Sequence, residues 1–330
     1  MNNVEARYYD RLENGHVKCN LCPLGCNIAP GKVGTCMIRT NENGILYASE
    51  YGKTIALNVD PIEKKPLYHF KPGADILSIG PNGCNLACVF CQNWNISQIK
   101  AAARYVSPEN LVKLAQSNDS IGVAYTYTEP LVWFEYIVDS ARLLKEAGLS
   151  VVLVSNGFVN EAPARELFKM VDAANFDLKS IRPDFYRKIC KGKLADVQRT
   201  IMIAREMGIH MELTNLLIPG LNDSEQEIEE LVDWVSNLDP KTVLHFSRFF
   251  PHYKLDAPPT PEETLRFAYN AARKKLHYVY VGNIIGIGSS DTACAGCGAT
   301  LVRRNGYDVT AVNLKGDKCG SCGAVTDIVV

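Results

Sequence analysis

Three cysteines stand together in the segment Ile79-Gly-Pro-Asn-Gly-Cys84-Asn-Leu-Ala-Cys88-Val-Phe-Cys91-Gln-Asn-Trp94, separated by three and then two residues. A four-iron, four-sulfur cluster is ordinarily held by four thiolates, one per iron. A compact set of three with no fourth cysteine nearby therefore leaves one iron without a protein ligand, and an open corner is a place for a substrate to bind. Zinc is the competing occupant, but structural zinc sites are usually four-ligand tetrahedra built from two Cys-x2-Cys type pairs.

The other cysteines are also grouped. Of twelve in the chain, eleven fall in sets of four, three and four, with Cys190 apart from them. That pattern is metal-ligand arithmetic and not a disulfide framework, and it implies a reducing, cytoplasmic setting. Cys19, Cys22, Cys26 and Cys36 supply four thiolates, enough for a tetrahedral zinc or for a fully ligated auxiliary cluster. Spacing does not choose between them; zinc or another structural metal is the expectation and a second iron–sulfur cluster its rival. Cys294, Cys297, Cys319 and Cys322 form two Cys-x2-Cys pairs, each followed by glycine, as in zinc ribbons. Zinc is expected there, with an auxiliary electron-transfer cluster as the rival. Arg303 and Arg304, between the pairs, read as a solvated hairpin and give only weak support for RNA binding. Cys190 reads as a buried, inert thiol without a cysteine neighbour, and His16, His69 and His210 show no metal spacing.

These ligands need a scaffold. The chain has 330 residues, 47% of them hydrophobic, enough for a full core with appendages, and its net charge of −1 provides no global basic field for unspecific nucleic-acid binding. The first ten residues lack an apolar run, and no stretch has the length needed to span a bilayer, so a soluble protein without an export signal is expected. From residue 74, short apolar runs at 76–79, 121–125, 151–155, 174–178, 210–216, 243–246 and 278–281 alternate with amphipathic stretches at 130–147, 162–170, 194–207, 224–238 and 261–276. Such alternation predicts strand-helix units and a parallel sheet. Ser224 with Glu227 forms a capping-box pattern, and Gly148 and Gly208 stand where helices should stop. The fold class is α/β. A cluster loop directly after the first strand favours a full or partial barrel over a doubly wound sheet, because barrels carry chemistry on loops after strand C-termini. The division expected is a Cys-rich region at 1–73, a catalytic domain at 74–288 and a ribbon-like region at 289–330.

The cysteine segment resembles the radical S-adenosylmethionine (SAM) superfamily, and further motifs extend the resemblance. Phe90 matches the aromatic position that packs near adenine. Tyr125-Thr-Tyr-Thr-Glu129-Pro130 is similar to the Gly-Gly-Glu-Pro stretch that binds the amino group of SAM, with Tyr127 and Thr128 in place of the glycines; its plain alternative is a helix start. Asn156-Gly157 resembles a stretch of glycyl-radical activating enzymes near the ribose and methionyl end of SAM, and Asp177-Leu-Lys179 resembles another, which implies a place beside the methionyl carboxylate or the substrate. The plain alternatives are a turn for the first and a solvated ion pair for the second. Segments at 217–223 and 245–255 resemble late-barrel segments of pyruvate formate-lyase activating enzymes, although this chain reads Pro251-His252-Tyr253 where those read Pro-Tyr-His. Over its whole length the chain resembles the AmmeMemoRadiSam-system radical SAM enzymes, relatives of those activating enzymes.

The resemblance implies a partial (β/α)6 radical SAM barrel and a 4Fe-4S cluster on Cys84, Cys88 and Cys91. It implies SAM contacts from Phe90, Glu129, Asn156, Gly157, Asp177 and Lys179. The implied reaction is reductive cleavage of SAM to methionine and a 5′-deoxyadenosyl radical that abstracts hydrogen from an unidentified nucleoside, RNA, small molecule or protein. It also implies a low-potential electron donor and partnership with Memo-like and AMMECR-type proteins. Two alternatives stand beside it: activation of a glycyl-radical enzyme, and a non-catalytic iron–sulfur and zinc scaffold or electron carrier.

Overall fold

The computed structural model describes residues 4–288 and 290–330. Residue 289, at which the third region is expected to begin, and residues 1–3 lie outside the described residues.

One eight-stranded sheet organises the molecule. Its strands are β1 (Ala56–Pro61), β2 (Asp75–Gly80), β3 (Gly122–Tyr125), β4 (Ser150–Ser155), β5 (Ala173–Asp177), β6 (His210–Leu217), β7 (Val243–Arg248) and β8 (Val279–Gly282). β2 to β8 are parallel, β1 pairs antiparallel with β2, and the order across the sheet is the order along the chain. A doubly wound sheet would reverse its order at a switch point. Unbroken sequential order is the barrel solution, left open here between β1 and β8 at the two edges.

A helix occupies each of the six crossovers: α1 (Pro108–Ser117), α2 (Phe134–Glu146), α3 (Glu161–Phe168), α4 (Leu194–Glu206), α5 (Glu225–Leu238) and α6 (Glu262–Arg273). The apolar spacing explains their seating. In α5, Ile228, Leu231, Val232 and Val235 fall on one helical face and are all buried. Ser224 caps this helix by accepting from the Glu227 amide (3.3 Å), but the Glu227 carboxylate turns away to accept from the Ser180 hydroxyl, so the capping box is half made. The central strands β2 to β5 are buried on both faces over most of their length, as parallel strands covered by helices are. Ile76, Ala124, Val152 and Ala173, from four successive strands, pack on Ile62, Leu67 and Phe70, so the segment after β1 fills the sheet's concave side.

Beside this fill lies a buried polar network. Glu212 accepts from His210 (3.1 Å) and His245 (2.6 Å), and His69 is hydrogen-bonded through Nε2 to the Tyr280 hydroxyl (2.8 Å). Burial alone would raise the Glu212 carboxyl, yet the two histidines hold it well below the usual carboxylate range.

The N-terminal cysteines lie on small antiparallel strands and their loops, docked on α2 by a buried ion pair in which Arg39 Nη2 meets both Glu135 oxygens (2.5 and 2.6 Å). The C-terminal region is a three-stranded antiparallel ribbon with a short hairpin after it. It corrects the expectation of a solvated hairpin for its arginines. Arg303 is exposed, but Arg304 is buried, pairs with Glu63 (3.3 Å), donates to the Tyr68 carbonyl (2.6 Å) and stacks 4.4 Å over the Tyr68 ring. The hairpin is thus pinned to the barrel by a cation. Among the described residues no helix is long and apolar enough to cross a membrane.

Candidate active site

The loops after β2 to β5 and the C-terminal ends of β6 and β7 converge on a cavity of about 470 Å³, the C-terminal face on which barrels carry chemistry. Cys84, Cys88 and Cys91 all line it, on the loop that follows β2. Backbone bonds brace this loop from two sides: the Gly83 amide donates to the Ile96 carbonyl (2.9 Å), and the Ala87 and Val89 amides donate to Cys190 (2.9 Å) and Ile189 (3.3 Å). The residue-186 to residue-190 turn therefore clamps the loop, and Cys190 is buried, as expected. Folding brings it beside Cys88, whose thiol it holds below the ordinary value, whereas burial pushes Cys84 well above. Cys91 Sγ lies 3.2 Å from the Ser97 hydroxyl.

Around the cysteines the structure gathers Phe90, Glu129, Asn156, Asp177 and Lys179 in the same cavity wall. Glu129 is buried and heavily used: Oε1 accepts from the Leu131 amide (2.9 Å) and the Ser155 hydroxyl (2.7 Å), and Oε2 accepts from the Asn156 amide (2.8 Å). It caps the turn Pro130–Trp133 that precedes α2, and burial raises its carboxyl to about 7. A carboxylate offers about four lone-pair positions, so one acceptor position remains. Asn156 donates to Asn85 Oδ1 (3.0 Å) and faces Cys84 Sγ at 3.6 Å, while its Oδ1 accepts from the Phe158 amide (2.8 Å). Gly157 does not line the cavity. Its φ of +67° turns the chain there, and a Cβ would point at Phe176, Val197 and Thr200.

Lys179 Nζ contacts Asp177 Oδ2 at 2.7 Å and lies 5.9 Å from the centre of the Phe90 ring. Tyr127, in a position expected to be glycine, adopts φ +71°, a conformation glycine enters freely and a bulky residue rarely. Its hydroxyl donates to Asp60 (3.0 Å) and accepts from Asn58 (3.0 Å), and Lys65 stands over its ring at 5.2 Å. The backbone shape survives the substitution, held by contacts made by the side chain. Of the late-barrel residues, His245 is turned inward to Glu212, whereas Tyr253 stacks on Trp94 (5.1 Å, 12°), the residue that ends the cysteine segment. Nothing in the sequence assigns a role to Lys64 and Lys65, which also line the cavity.

The C-terminal cysteines form a separate centre. Cys294 and Cys322, and Cys297 and Cys319, stand 3.8 Å apart. Metal–sulfur bonds of about 2.3 Å directed to the corners of a tetrahedron give edges of about 3.8 Å, so this set fits one ion.

The fold and both centres can be compared with known proteins. A family model described as the Radical SAM superfamily matches residues 78–235. An uncharacterized protein of Methanocaldococcus jannaschii is 42% identical over 334 residues, with 99% of each chain covered. Residues 78–235 form a radical SAM domain. Homology to pyruvate formate-lyase-activating enzymes is present within it: that of Clostridium pasteurianum is 25% identical over 162 residues, 47% of this chain and 67% of the other. A probable GTP 3′,8-cyclase of Pyrobaculum aerophilum is 26% identical over 254 residues, 69% and 80% of the two chains. Among solved structures, a radical SAM methyltransferase from Sphaerobacter thermophilus has the same fold, with a TM-score of 0.52 at 16% identity over 66% of this chain and 69% of that one. Radical SAM enzymes carry a 4Fe-4S cluster and SAM and need an electron donor. The three-cysteine loop fits such a cluster, because its sulfurs share one cavity whose wall contains no fourth cysteine and no histidine.

Proposed function

We propose that Cys84, Cys88 and Cys91 hold a 4Fe-4S cluster by three of its irons and leave the fourth to SAM. The observation that carries this reading is the convergence of those cysteines with Glu129, Asn156, Asp177 and Lys179 on one cavity. Bound there, cluster and SAM supply reductive cleavage to methionine and a 5′-deoxyadenosyl radical that takes hydrogen from a substrate. The chain's own residues do the positioning. The spare acceptor position of Glu129 takes a hydrogen bond from the SAM amino group. Lys179, kept charged by Asp177, faces the methionyl carboxylate, and Phe90 lies against adenine. Gly157 acts indirectly, by turning the chain so that Asn156 meets Cys84.

Zinc is the proposed ion of Cys294, Cys297, Cys319 and Cys322. The regions 1–73, 74–288 and 289–330 serve as two metal-bearing appendages around a catalytic barrel, in a cytoplasmic protein that works with Memo-like and AMMECR-type partners. The substrate is a C–H compound of nucleoside, RNA, metabolite or protein type. Tyr127, Thr128 and His252, all departures from the activating-enzyme pattern, favour a target other than a glycyl radical. The glycyl-radical reading rests on the matching region of the activating enzymes.

Anaerobic, reconstituted protein with reductant and SAM is expected to form 5′-deoxyadenosine, and protein with Cys84, Cys88 and Cys91 changed to alanine to form none. A stable organic radical on a partner protein would decide for activation, and deuterium passing from a labelled RNA or metabolite into 5′-deoxyadenosine for a substrate of that type. A fully loaded wild-type protein that leaves SAM intact would return the chain to a scaffold or electron carrier.

A further inference from the structure

Cys19, Cys22, Cys26 and Cys36 surround one small pocket with Leu21, Leu24, Ile28 and Val132 in its wall. Their geometry is unlike that of the C-terminal set. Among the described residues, only Cys294, Cys297, Cys319 and Cys322 form a group of three or more metal-ligating atoms lying within 4.8 Å of one another. A lone zinc draws its four sulfurs to separations of about 3.8 Å. A cluster, whose thiolates bind different irons, keeps them apart around a shared volume.

Arg39 is the second observation. It lines the same pocket and is 1% exposed. Its terminal nitrogens are used, Nη2 by Glu135 and Nη1 by the Arg7 carbonyl (3.2 Å), but Nε has no hydrogen-bond partner among the described residues. A buried N–H left unpaired costs about 1–3 kcal/mol, and the sulfides of an anionic cluster are acceptors for it.

The third observation is proximity to the active site. A Cβ on Gly83 would lie 2.0 Å from the Cys36 carbonyl oxygen, so glycine is required there, and the backbone of Cys36 touches the residue before Cys84. Val132, in the wall of the N-terminal pocket, belongs to the turn that Glu129 caps.

We propose that Cys19, Cys22, Cys26 and Cys36 ligate a second iron–sulfur cluster that passes electrons to the cluster held by Cys84, Cys88 and Cys91, a relay role that rests on the active-site reading above. A low-potential one-electron carrier protein is oxidised by one electron and the N-terminal cluster is reduced by it. That cluster is then reoxidised as the same electron reduces its neighbour, and no proton or atom moves.

The test uses the full chain with Cys84, Cys88 and Cys91 replaced by alanine, which leaves the N-terminal set untouched. After anaerobic reconstitution it is expected to retain roughly half of the wild-type iron and acid-labile sulfide. When reduced, it is expected to give a paramagnetic resonance signal that SAM does not alter. In reduced wild type, spin coupling between neighbouring clusters should broaden that signal. A Cys22→Ser, Cys36→Ser double variant should lose the same share of iron and keep the SAM-sensitive signal. A triple variant with zinc in place of iron and sulfide would overturn the proposal and leave the active-site reading standing. Iron retained in the triple variant, but no SAM-sensitive signal in wild type, would keep the second cluster and overturn the relay.

Discussion

At the scale of single residues, Glu129 concentrates the account. Three of its acceptor positions organise the turn before α2 and the end of β4, and one remains for a ligand. Replacing the carboxylate in Glu129→Gln removes a charge-assisted hydrogen bond, commonly about 1.5–3 kcal/mol. SAM affinity measured by anaerobic equilibrium binding should therefore fall roughly ten- to a hundredfold, with iron content unchanged. Unchanged affinity would take Glu129 out of the ligand site. The cysteine trio, Glu129, Asn156 and the Asp177 and Lys179 pair were all visible in the sequence, because metal ligands and strand-end motifs are local. The Cys88 and Cys190 contact was not, since it joins segments far apart in the chain. Nor was the left-handed backbone of Tyr127, which a substitution had disguised.

Among the elements, the seven parallel strands and five of the six helices announce themselves by period and by caps. α1 and β1 were the exceptions. β1 has a mixed burial pattern with no clean alternation and ends in Pro61, as an edge strand can. The buried network on the concave side shows what histidines without metal spacing do instead. Burial lowers His69 to about 4. The unfolded histidine takes up a proton below its ordinary value of about 6.5 and the folded one only below about 4, so this group makes folding less favourable as pH falls through that window. Relative to a His69→Asn variant, wild-type stability should drop by about 2 kcal/mol between pH 6.5 and 5, read by denaturant unfolding at each pH. A parallel pair of curves would show that His69 is not buried in its neutral form. Glu212 acts elsewhere: its carboxyl is held low, so its contribution is lost only under more acidic conditions.

For the whole molecule, the sheet, its order and the two cysteine-rich ends follow from the sequence, but the docking of those ends does not. It depends on Arg39 with Glu135 and on Arg304 with Glu63, pairs whose members are far apart in the chain and whose burial no local pattern discloses. Removing one partner of a buried pair leaves an uncompensated charge, a loss of about 3–5 kcal/mol. Glu63→Gln should therefore lower the melting temperature and expose the ribbon to limited proteolysis, while zinc content per intact chain stays at the wild-type level. Unaltered melting would mean that Arg304 finds water or another anion. The central claim is that three thiolates leave one iron to SAM. It is tested most directly by paramagnetic resonance of the reduced protein with SAM isotopically labelled at its amino nitrogen and carboxylate. Hyperfine coupling from those labels to the cluster is the result predicted; bound SAM that shows no such coupling would contradict it.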